Sequence, residues 1–258
     1  MIFNKMKIKL YISGLLLILA FTTLWAGEAE KVFEKANMLY NNERYAEAAS
    51  LYQQLVDSDF EHPDLYYNLG NAYFKSNEIP KAIYYYEKAR KLAPNDKEIL
   101  HNIEIANRYI IDKPDIVPEP FYKVWWNTWL TLFTPNQWAV IALVLFNILF
   151  LLATIFFLIK DVKWKKISFY SGLIILVFTV FSFFFAYHSY KNSIDHSEAI
   201  IFSPSVVVKS SPNEKSVDLF VIHEGLKVKL LEDENGWTKI KIGNGKIGWI
   251  KDDDYRKI

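Results

Sequence analysis

The chain has 258 residues and a formal net charge of +1; it is 52% hydrophobic and 17% aromatic, and it contains no cysteine. The missing cysteines exclude disulfides, thiolate nucleophiles and cysteine-ligated zinc, and the near-zero net charge gives no field for binding nucleic acid. A high apolar fraction combined with 23% charged residues favours membrane segments joined to water-soluble modules over one soluble globule.

The N-terminal segment predicts export. Three lysines, Lys5, Lys7 and Lys9, precede the apolar run LYISGLLLILAFTTLWA at 10–26, and small and acidic residues follow it. This order is typical of a secretory signal peptide, here predicted over 1–26. An uncleaved N-terminal anchor is the alternative, and either one exports the residues that follow.

The segment 27–111 matches itself after a shift of 34 residues, which is the period of tetratricopeptide (TPR) repeats. The aligned pairs are Ala36 with Gly70, Leu39 with Tyr73, Tyr40 with Phe74, Ala48 with Ala82 and Tyr52 with Tyr86. The second copy, DLYYNLGNAYFKSNEIPKAIYYYEKARKLAPND, resembles a TPR, and DKEILHNIEIANRYI resembles a capping helix. Two repeats and a cap are near the lower limit for a continuous core, so we expect docking onto a partner or onto the tryptophan-rich segment of the chain.

The resemblance to TPRs implies an all-α domain with a concave groove, lined by the first helix of each repeat. On that basis the candidate partner-binding residues are Phe33, Asn37, Tyr40, Asn41, Tyr67, Asn68, Asn71, Phe74, Lys75 and His101, with Asn102 and Ile105 beside His101. Asn37 and Asn68 match the asparagines of the TPR carboxylate clamp, but Phe33, Glu98 and Asn102 stand at its cation positions. The resemblance therefore implies an extended peptide backbone as ligand, with simple packing as the alternative role for several of these residues.

Residues 112–137 are predicted to form a proline linker followed by an interfacial helix. The stretch DKPDIVPEP has three prolines, as in stiff extended spacers. We expect 121–133 to be a helix lying on the membrane surface, with an aromatic ligand cage as the alternative. The residues predicted at the membrane interface are Trp125, Trp126, Trp129 and Trp138, because tryptophan is enriched at the headgroup level. Thr134 and Gln137 predict a capping box that begins the next helix.

Residues 138–190 are predicted to form a two-helix transmembrane hairpin. The runs 139–159 and 167–187 contain no charged residue, and each is long enough to cross about 30 Å of hydrocarbon as a helix. Asn147 lies near the middle of the first run and is expected to form a hydrogen bond to a hydroxyl of the second run, such as that of Thr179 or Ser182.

The turn 160–166 predicts the orientation of the hairpin. It contains four lysines and one aspartate, and short loops rich in lysine stay in the cytoplasm. The chain is therefore predicted to be a multi-pass protein of the bacterial inner membrane, with 27–135 and 190–258 on the periplasmic side.

The segment 195–258 changes to a period of two and is predicted to be an all-β domain of six short strands. The string HEGLKVKLLEDENGWTKIKIGNGKIGWIK resembles a bacterial SH3-like domain, which implies a small barrel. Trp249 and Tyr255 are candidate residues of an SH3-like ligand groove, with core packing as the alternative.

No two-histidine helix motif, GxSxG elbow or P-loop occurs in the sequence. We therefore expect no enzymatic activity, no cofactor and no metal site.

The order of these segments is similar to that of the BatE-type proteins of the bacterial aerotolerance (Bat) cluster. The resemblance is carried by YYNLGNAYFKSNEIPKAIYYYEKARKLAPND and AIIFSPSVVVKSSPNEKSVDLFVIHEG. It implies membrane-anchored partners with von Willebrand factor A domains and a cytoplasmic MoxR-type ATPase. The predicted function is a membrane-anchored scaffold that contacts lipid and binds partner proteins through the TPR groove and the SH3-like domain. The alternative is binding of peptidoglycan by the SH3-like domain.

Overall fold

The computed structural model of the protein describes residues 27–113, 120–195 and 197–258, so the predicted signal peptide or anchor lies outside the described residues. The helices are α1 (27–41), α2 (Tyr45–Asp57), α3 (Pro63–Lys75), α4 (Ile79–Leu92), α5 (Lys97–Asn107), α6 (Phe121–Thr131), α7 (Pro135–Leu158) and α8 (Val162–Ser193). The strands are β1 (Glu198–Ile201), β2 (Ser205–Lys209), β3 (Asp218–His223), β4 (Lys227–Glu234), β5 (Trp237–Lys241), β6 (Ile247–Lys251) and β7 (Tyr255–Lys257).

The turns within the two helix pairs have the same backbone. Glu43 between α1 and α2 and Asn77 between α3 and α4 both adopt left-handed conformations, with φ of 60° and 63°. The next residue in each turn, Arg44 or Glu78, donates its N–H back to a carbonyl of the preceding helix at 2.9 Å. The period of 34 residues seen in the sequence is therefore a structural repeat.

The helix pairs pack closely because small residues lie where they cross. An added Cβ at Gly70 would lie 2.6 Å from the Cδ1 atom of Tyr86, so only glycine lets this ring approach α3 so closely. Ala36, Ala48 and Ala82 are fully buried. These residues form one apolar core through α1–α5.

Helices α7 and α8 form an antiparallel hairpin, and both are long and apolar enough to cross a membrane. The connection is shorter than predicted: α8 begins at Val162, so Lys163, Lys165 and Lys166 lie in its first turns, and Asp161 caps it by accepting the N–H of Lys163 at 2.8 Å. The predicted capping box of α7 is present, with Thr134 and Gln137 each bonding the other's backbone N–H.

The predicted hydrogen bond from Asn147 to α8 is wrong. Asn147 lies on an exposed face of α7, and its Nδ2 donates to the Leu143 carbonyl of its own helix at 2.8 Å. Thr179 instead donates to Ile175 at 2.7 Å within α8. The polar contact between the helices comes from Ser168, whose hydroxyl lies 3.3 Å from the Leu152 carbonyl.

The C-terminal domain is an antiparallel sheet in the order β3-β2-β6-β5-β4-β1-β7. The all-β prediction is confirmed and is consistent with an SH3-like domain, but the sheet has seven strands instead of six and is not closed. The additional strand, Tyr255–Lys257, pairs with β1.

The C-terminal domain docks on the helical repeats. Ile200 and Ile258 are buried in the same apolar cluster as the core of α1–α5. Tyr84 of α4 packs edge-on against Phe202, with ring centroids 5.7 Å apart. At Gly225 the approach is so close that an added Cβ would lie 2.5 Å from Cγ2 of Ile110.

Ion pairs surround this apolar contact. Glu87 of α4 is 4% exposed, and its carboxylate accepts from Lys227 at 3.0 Å and from Arg90 at 2.7 Å. Lys227 also lies 2.6 Å from Glu198 of β1. Burial by itself would raise the pKa of Glu198, but the charges of Lys227 and its neighbours hold that pKa below its ordinary value.

Candidate protein-binding groove

Two cavities of about 300 Å³ each lie along one face of the repeats and share Tyr40. The first is lined by Asn37, Tyr40, Asn41, Tyr52 and Asn68. The second is lined by Tyr40, Tyr67, Asn71, Phe74, Lys75, Tyr86, Asn102 and Ile105. Because a shared residue joins them, they form one groove across α1, α3 and α5, with α2 and α4 contributing its floor.

The first cavity is organised by a hydrogen-bonded triad of Tyr52, Asn37 and Asn68. The Tyr52 hydroxyl donates to Oδ1 of Asn37 at 2.5 Å. Nδ2 of Asn68 lies 3.3 Å from the same oxygen. The tyrosine comes from the second helix of one repeat, while the second asparagine comes from the first helix of the next.

The second cavity contains the same triad 34 residues further along the chain. The Tyr86 hydroxyl donates to Oδ1 of Asn71 at 2.7 Å, and Nδ2 of Asn102 donates to that oxygen at 2.8 Å. Asn102 also lies 3.0 Å from the Tyr67 hydroxyl. The groove therefore repeats one polar unit with the period of the helices.

The two tyrosines of the triads are protonated at neutral pH, as a phenol with an ordinary pKa near 10 already is, and burial moves their pKa values further from neutrality. It raises the pKa of Tyr52 to about 12, and it also raises that of Tyr86. Both phenols are thus neutral hydrogen-bond donors at neutral pH, and they hold Asn37 and Asn71 in a fixed rotamer.

The triads leave hydrogen-bond donors in the groove that a ligand can use. An asparagine carboxamide carries two N–H donors besides its oxygen, and none of the four hydrogen bonds that form the triads uses an N–H group of Asn37 or Asn71. Among the described residues that line the two cavities, Lys75 alone carries a charge. Such a surface matches neutral amides better than a cluster of carboxylates.

The structure brings most of the predicted groove residues together and separates two of them. Phe33 packs on the ring of Tyr52, with centroids 5.7 Å apart, and lines neither cavity. His101 is exposed on α5, also outside both cavities. Tyr52 and Tyr86 were not among the predicted groove residues, although their alignment at the 34-residue period was the available signal.

A further cavity of about 620 Å³ lies elsewhere on the repeats, between α2 and the turn from α3 to α4. Its lining includes Gln53, Asp57, Tyr73 and Glu78, and it shares no residue with the groove. It has no counterpart of the repeated triad, so we assign it no role.

The two candidate residues of the C-terminal groove are buried. Trp249 and Tyr255 are each 8% exposed. The Tyr255 hydroxyl lies 2.7 Å from the fully buried hydroxyl of Thr238, while Lys239 lies over the Trp249 ring, 5.7 Å from its centroid. This burial favours packing, and a ligand-binding role for the two residues stays a prediction.

The four tryptophans predicted at the membrane interface divide into two groups. Trp125 and Trp129 are exposed, 64% and 45% respectively. Trp126 packs against Phe185 of α8, and Trp138 is buried in a stack on the same ring at 4.9 Å. Trp126 of α6 and Trp138 of α7 thus contact one ring of α8, while Trp125 and Trp129 stay exposed on α6.

Comparison with known proteins assigns the repeats. A family model described as tetratricopeptide repeat matches residues 33–97, which include both helix pairs except the start of α1. The helical domain is therefore built of TPR repeats, a class of protein-protein interaction module. No curated protein matches the chain.

Proposed function

We propose that the protein is a non-enzymatic, membrane-anchored scaffold that binds an extended segment of a partner protein in the TPR groove. The observation that carries the proposal is the repeated triad, which holds Asn37 and Asn71 in equivalent positions one repeat apart. An extended peptide presents backbone N–H and C=O groups at regular intervals, and fixed carboxamides can donate to such carbonyls and accept from such N–H groups.

The placement of the soluble domains supports a hairpin topology. Helices α7 and α8 are joined by the short turn Ile159–Asp161, so their outer ends lie on the same side of any membrane that they cross. The docking of the C-terminal domain on α4 requires the same arrangement, because domains in contact cannot lie on opposite sides of a bilayer. The lysines beside the turn favour its cytoplasmic location, and this supports a periplasmic location for both domains.

The resemblance to BatE-type proteins supports the choice of partner. We infer that the groove receives a segment of a membrane protein with a von Willebrand factor A domain in a Bat-type complex. A scaffold held at the membrane surface by α6 would meet such an anchored partner at high local concentration.

Peptide selection tests the groove. The full chain in lipid nanodiscs is used to select binders from a displayed library of random twelve-residue peptides. Replacing Asn37 and Asn71 together by aspartate keeps each Oδ acceptor of the triads, but removes the N–H donors. Since one hydrogen bond contributes about 0.5–1.5 kcal/mol, the double variant should bind the selected peptides roughly 5- to 150-fold more weakly.

Asn107→Ala is the matched control, because Asn107 is exposed on α5 and lines neither cavity. It should bind the peptides like the unaltered chain. Equal affinity of the double aspartate variant and the control would refute the groove assignment.

Reporter fusions test the topology independently. Fusions at Lys113 and Ile258 should report an exported location, and a fusion at Lys163 a cytoplasmic one. A cytoplasmic signal from Lys113 or Ile258 would refute the proposed orientation and leave the peptide result unaffected.

A further inference from the structure

Asn147 occupies an unusual position for an amide side chain. It lies at the middle of α7, which runs from Pro135 to Leu158. At 100° per residue it points about 140° away from Ala142, which is fully buried. Within the described residues its one hydrogen bond is the donation to the Leu143 carbonyl, so its oxygen and one N–H are left unbonded.

The cost of this arrangement depends on the surroundings. In water the remaining groups of the amide would be solvated. In hydrocarbon, an unsatisfied amide is unfavourable by several kcal/mol, and a polar side chain at this depth normally bonds to a neighbouring helix. Helix α8 lies on the other face of α7, and its hydroxyl at Thr179 bonds within α8.

Asn147 also belongs to a continuous stripe along the exposed side of α7. The stripe follows the alternating spacing of three and four residues that is typical of a helix-helix seam. Its members are Val140, Leu143, Asn147, Phe150, Thr154 and Phe157. Phe150 and Phe157 are 71% and 79% exposed, so the described chain covers little of this surface.

We propose that α7 pairs with α7 of a second copy of this chain, with the two Asn147 side chains bonded to each other. A carboxamide is self-complementary, because it offers one acceptor and two donors. A twofold axis along the membrane normal brings identical residues to the same depth, whereas an unrelated helix would need a polar residue at that level. A single asparagine in such a seam also fixes register and the number of helices.

This inference rests on the proposed insertion of α7 and α8 into a bilayer, and cross-linking tests both. The chain contains no cysteine, so a single Leu143→Cys substitution provides a unique thiol on the seam. Purified full chain is reconstituted in phosphatidylethanolamine and phosphatidylglycerol vesicles, washed with alkaline carbonate and oxidised with copper phenanthroline. Disulfide-linked dimer should form, and it should decrease when lipid dilutes the protein.

Two substitutions of Asn147 test whether its side chain stabilises the dimer. Asn147→Leu in the Leu143→Cys background should weaken dimerisation roughly 3- to 30-fold, while Asn147→Gln should retain most of it. Ile148→Cys is the control, since Ile148 is 39% exposed but projects about 140° from Leu143 and about 160° from Phe150 around the helix.

The outcomes are distinguishable. Release of the protein by carbonate would refute insertion, and with it the proposed membrane anchor. Retention without a Leu143→Cys dimer at any lipid ratio would refute the pairing alone. A dimer of equal strength with Asn147→Leu would refute the role of Asn147, and equally efficient cross-linking through Ile148→Cys would refute the proposed face.

Discussion

Replacing Gly225 by alanine tests whether the TPR repeats and the C-terminal sheet act as one unit. Gly225 has φ of +83°, and its added Cβ would lie 2.5 Å from Cγ2 of Ile110 and 3.4 Å from Cδ1 of Ile83. The left-handed conformation costs alanine about 1–2 kcal/mol. A carbon-carbon contact about 1 Å inside the normal 3.5–4.0 Å separation adds about 1–3 kcal/mol of overpacking.

Gly236 provides a matched control because it separates the two costs. Its φ is +80°, and among the described residues no heavy atom lies within 4 Å of an added Cβ. Gly236→Ala should therefore destabilise the sheet by about 1–2 kcal/mol without affecting the docking. Gly225→Ala should bear the same cost and also weaken the contact with the repeats.

Hydrogen exchange of the full chain in nanodiscs measures the difference. The amide of His223 reports directly, since it donates to the Asp112 carboxylate at 2.5 Å. A docking free energy lowered by about 1–3 kcal/mol should speed exchange at 108–112 and at His223 by roughly 5- to 150-fold. Equal effects of the two alanine substitutions at these positions would refute the reasoning.

Two other predictions concern the docking contact, and a third concerns the packing of α3 against α4. Glu87→Gln or Lys227→Gln alone should weaken docking by about 1.5–3 kcal/mol, because each removes a hydrogen bond between charged groups. The two together should weaken docking by less than the sum of the single effects; additive effects on exchange at 108–112 would argue against the pair. The pKa of Glu198 lies below its ordinary value of 4.5. The ionised carboxylate therefore stabilises docking fully above pH 4.5, and this stabilisation is lost as the pH falls through the lowered pKa. Docking that weakens between about pH 8 and 5 would contradict this assignment. Gly70→Ala should lower the thermal unfolding midpoint, because an added Cβ only 2.6 Å from Cδ1 of Tyr86 costs about 1–3 kcal/mol against a gain of about 1 kcal/mol in helix propensity; a raised midpoint would mean that the ring relocates freely.

The helical repeats were predictable because their determinants are local and periodic. Gly70, Ala82 and Tyr86 recur at fixed spacing with their partners one repeat earlier, and the same spacing places Asn37 and Asn71 in the groove. The two membrane-crossing candidates were predictable for a similar reason, since length and composition suffice. The exact turn was not, because Asp161 caps α8 and draws the lysines into the helix.

Contacts between segments far apart in the chain leave no periodic pattern in the sequence. Lys227 meets Glu87 across 140 residues, and neither side chain differs in sequence from an ordinary surface charge. We expected the short repeat array to dock on a partner or on the tryptophan-rich segment. Among the described residues it docks mainly on the C-terminal sheet, and Asn95 also donates to the Thr131 carbonyl of α6.

Two other differences have simple physical causes. The strand Tyr255–Lys257 follows three aspartates and is too short for alternation to be recognised. The direction of the Asn147 side chain depends on which face of α7 packs against α8. The run is apolar on all sides, so its sequence does not mark the packing face.

The triads have a consequence for how such a protein can change its recognition length. Each triad takes a tyrosine and an asparagine from one repeat and its last asparagine from the helix that follows. An in-frame duplication of one 34-residue unit would thus create one complete new site, with no other mutation required. The final helix must keep its own asparagine, Asn102, to complete the last site. The number of repeats alone would then set the length of the peptide segment that the groove binds.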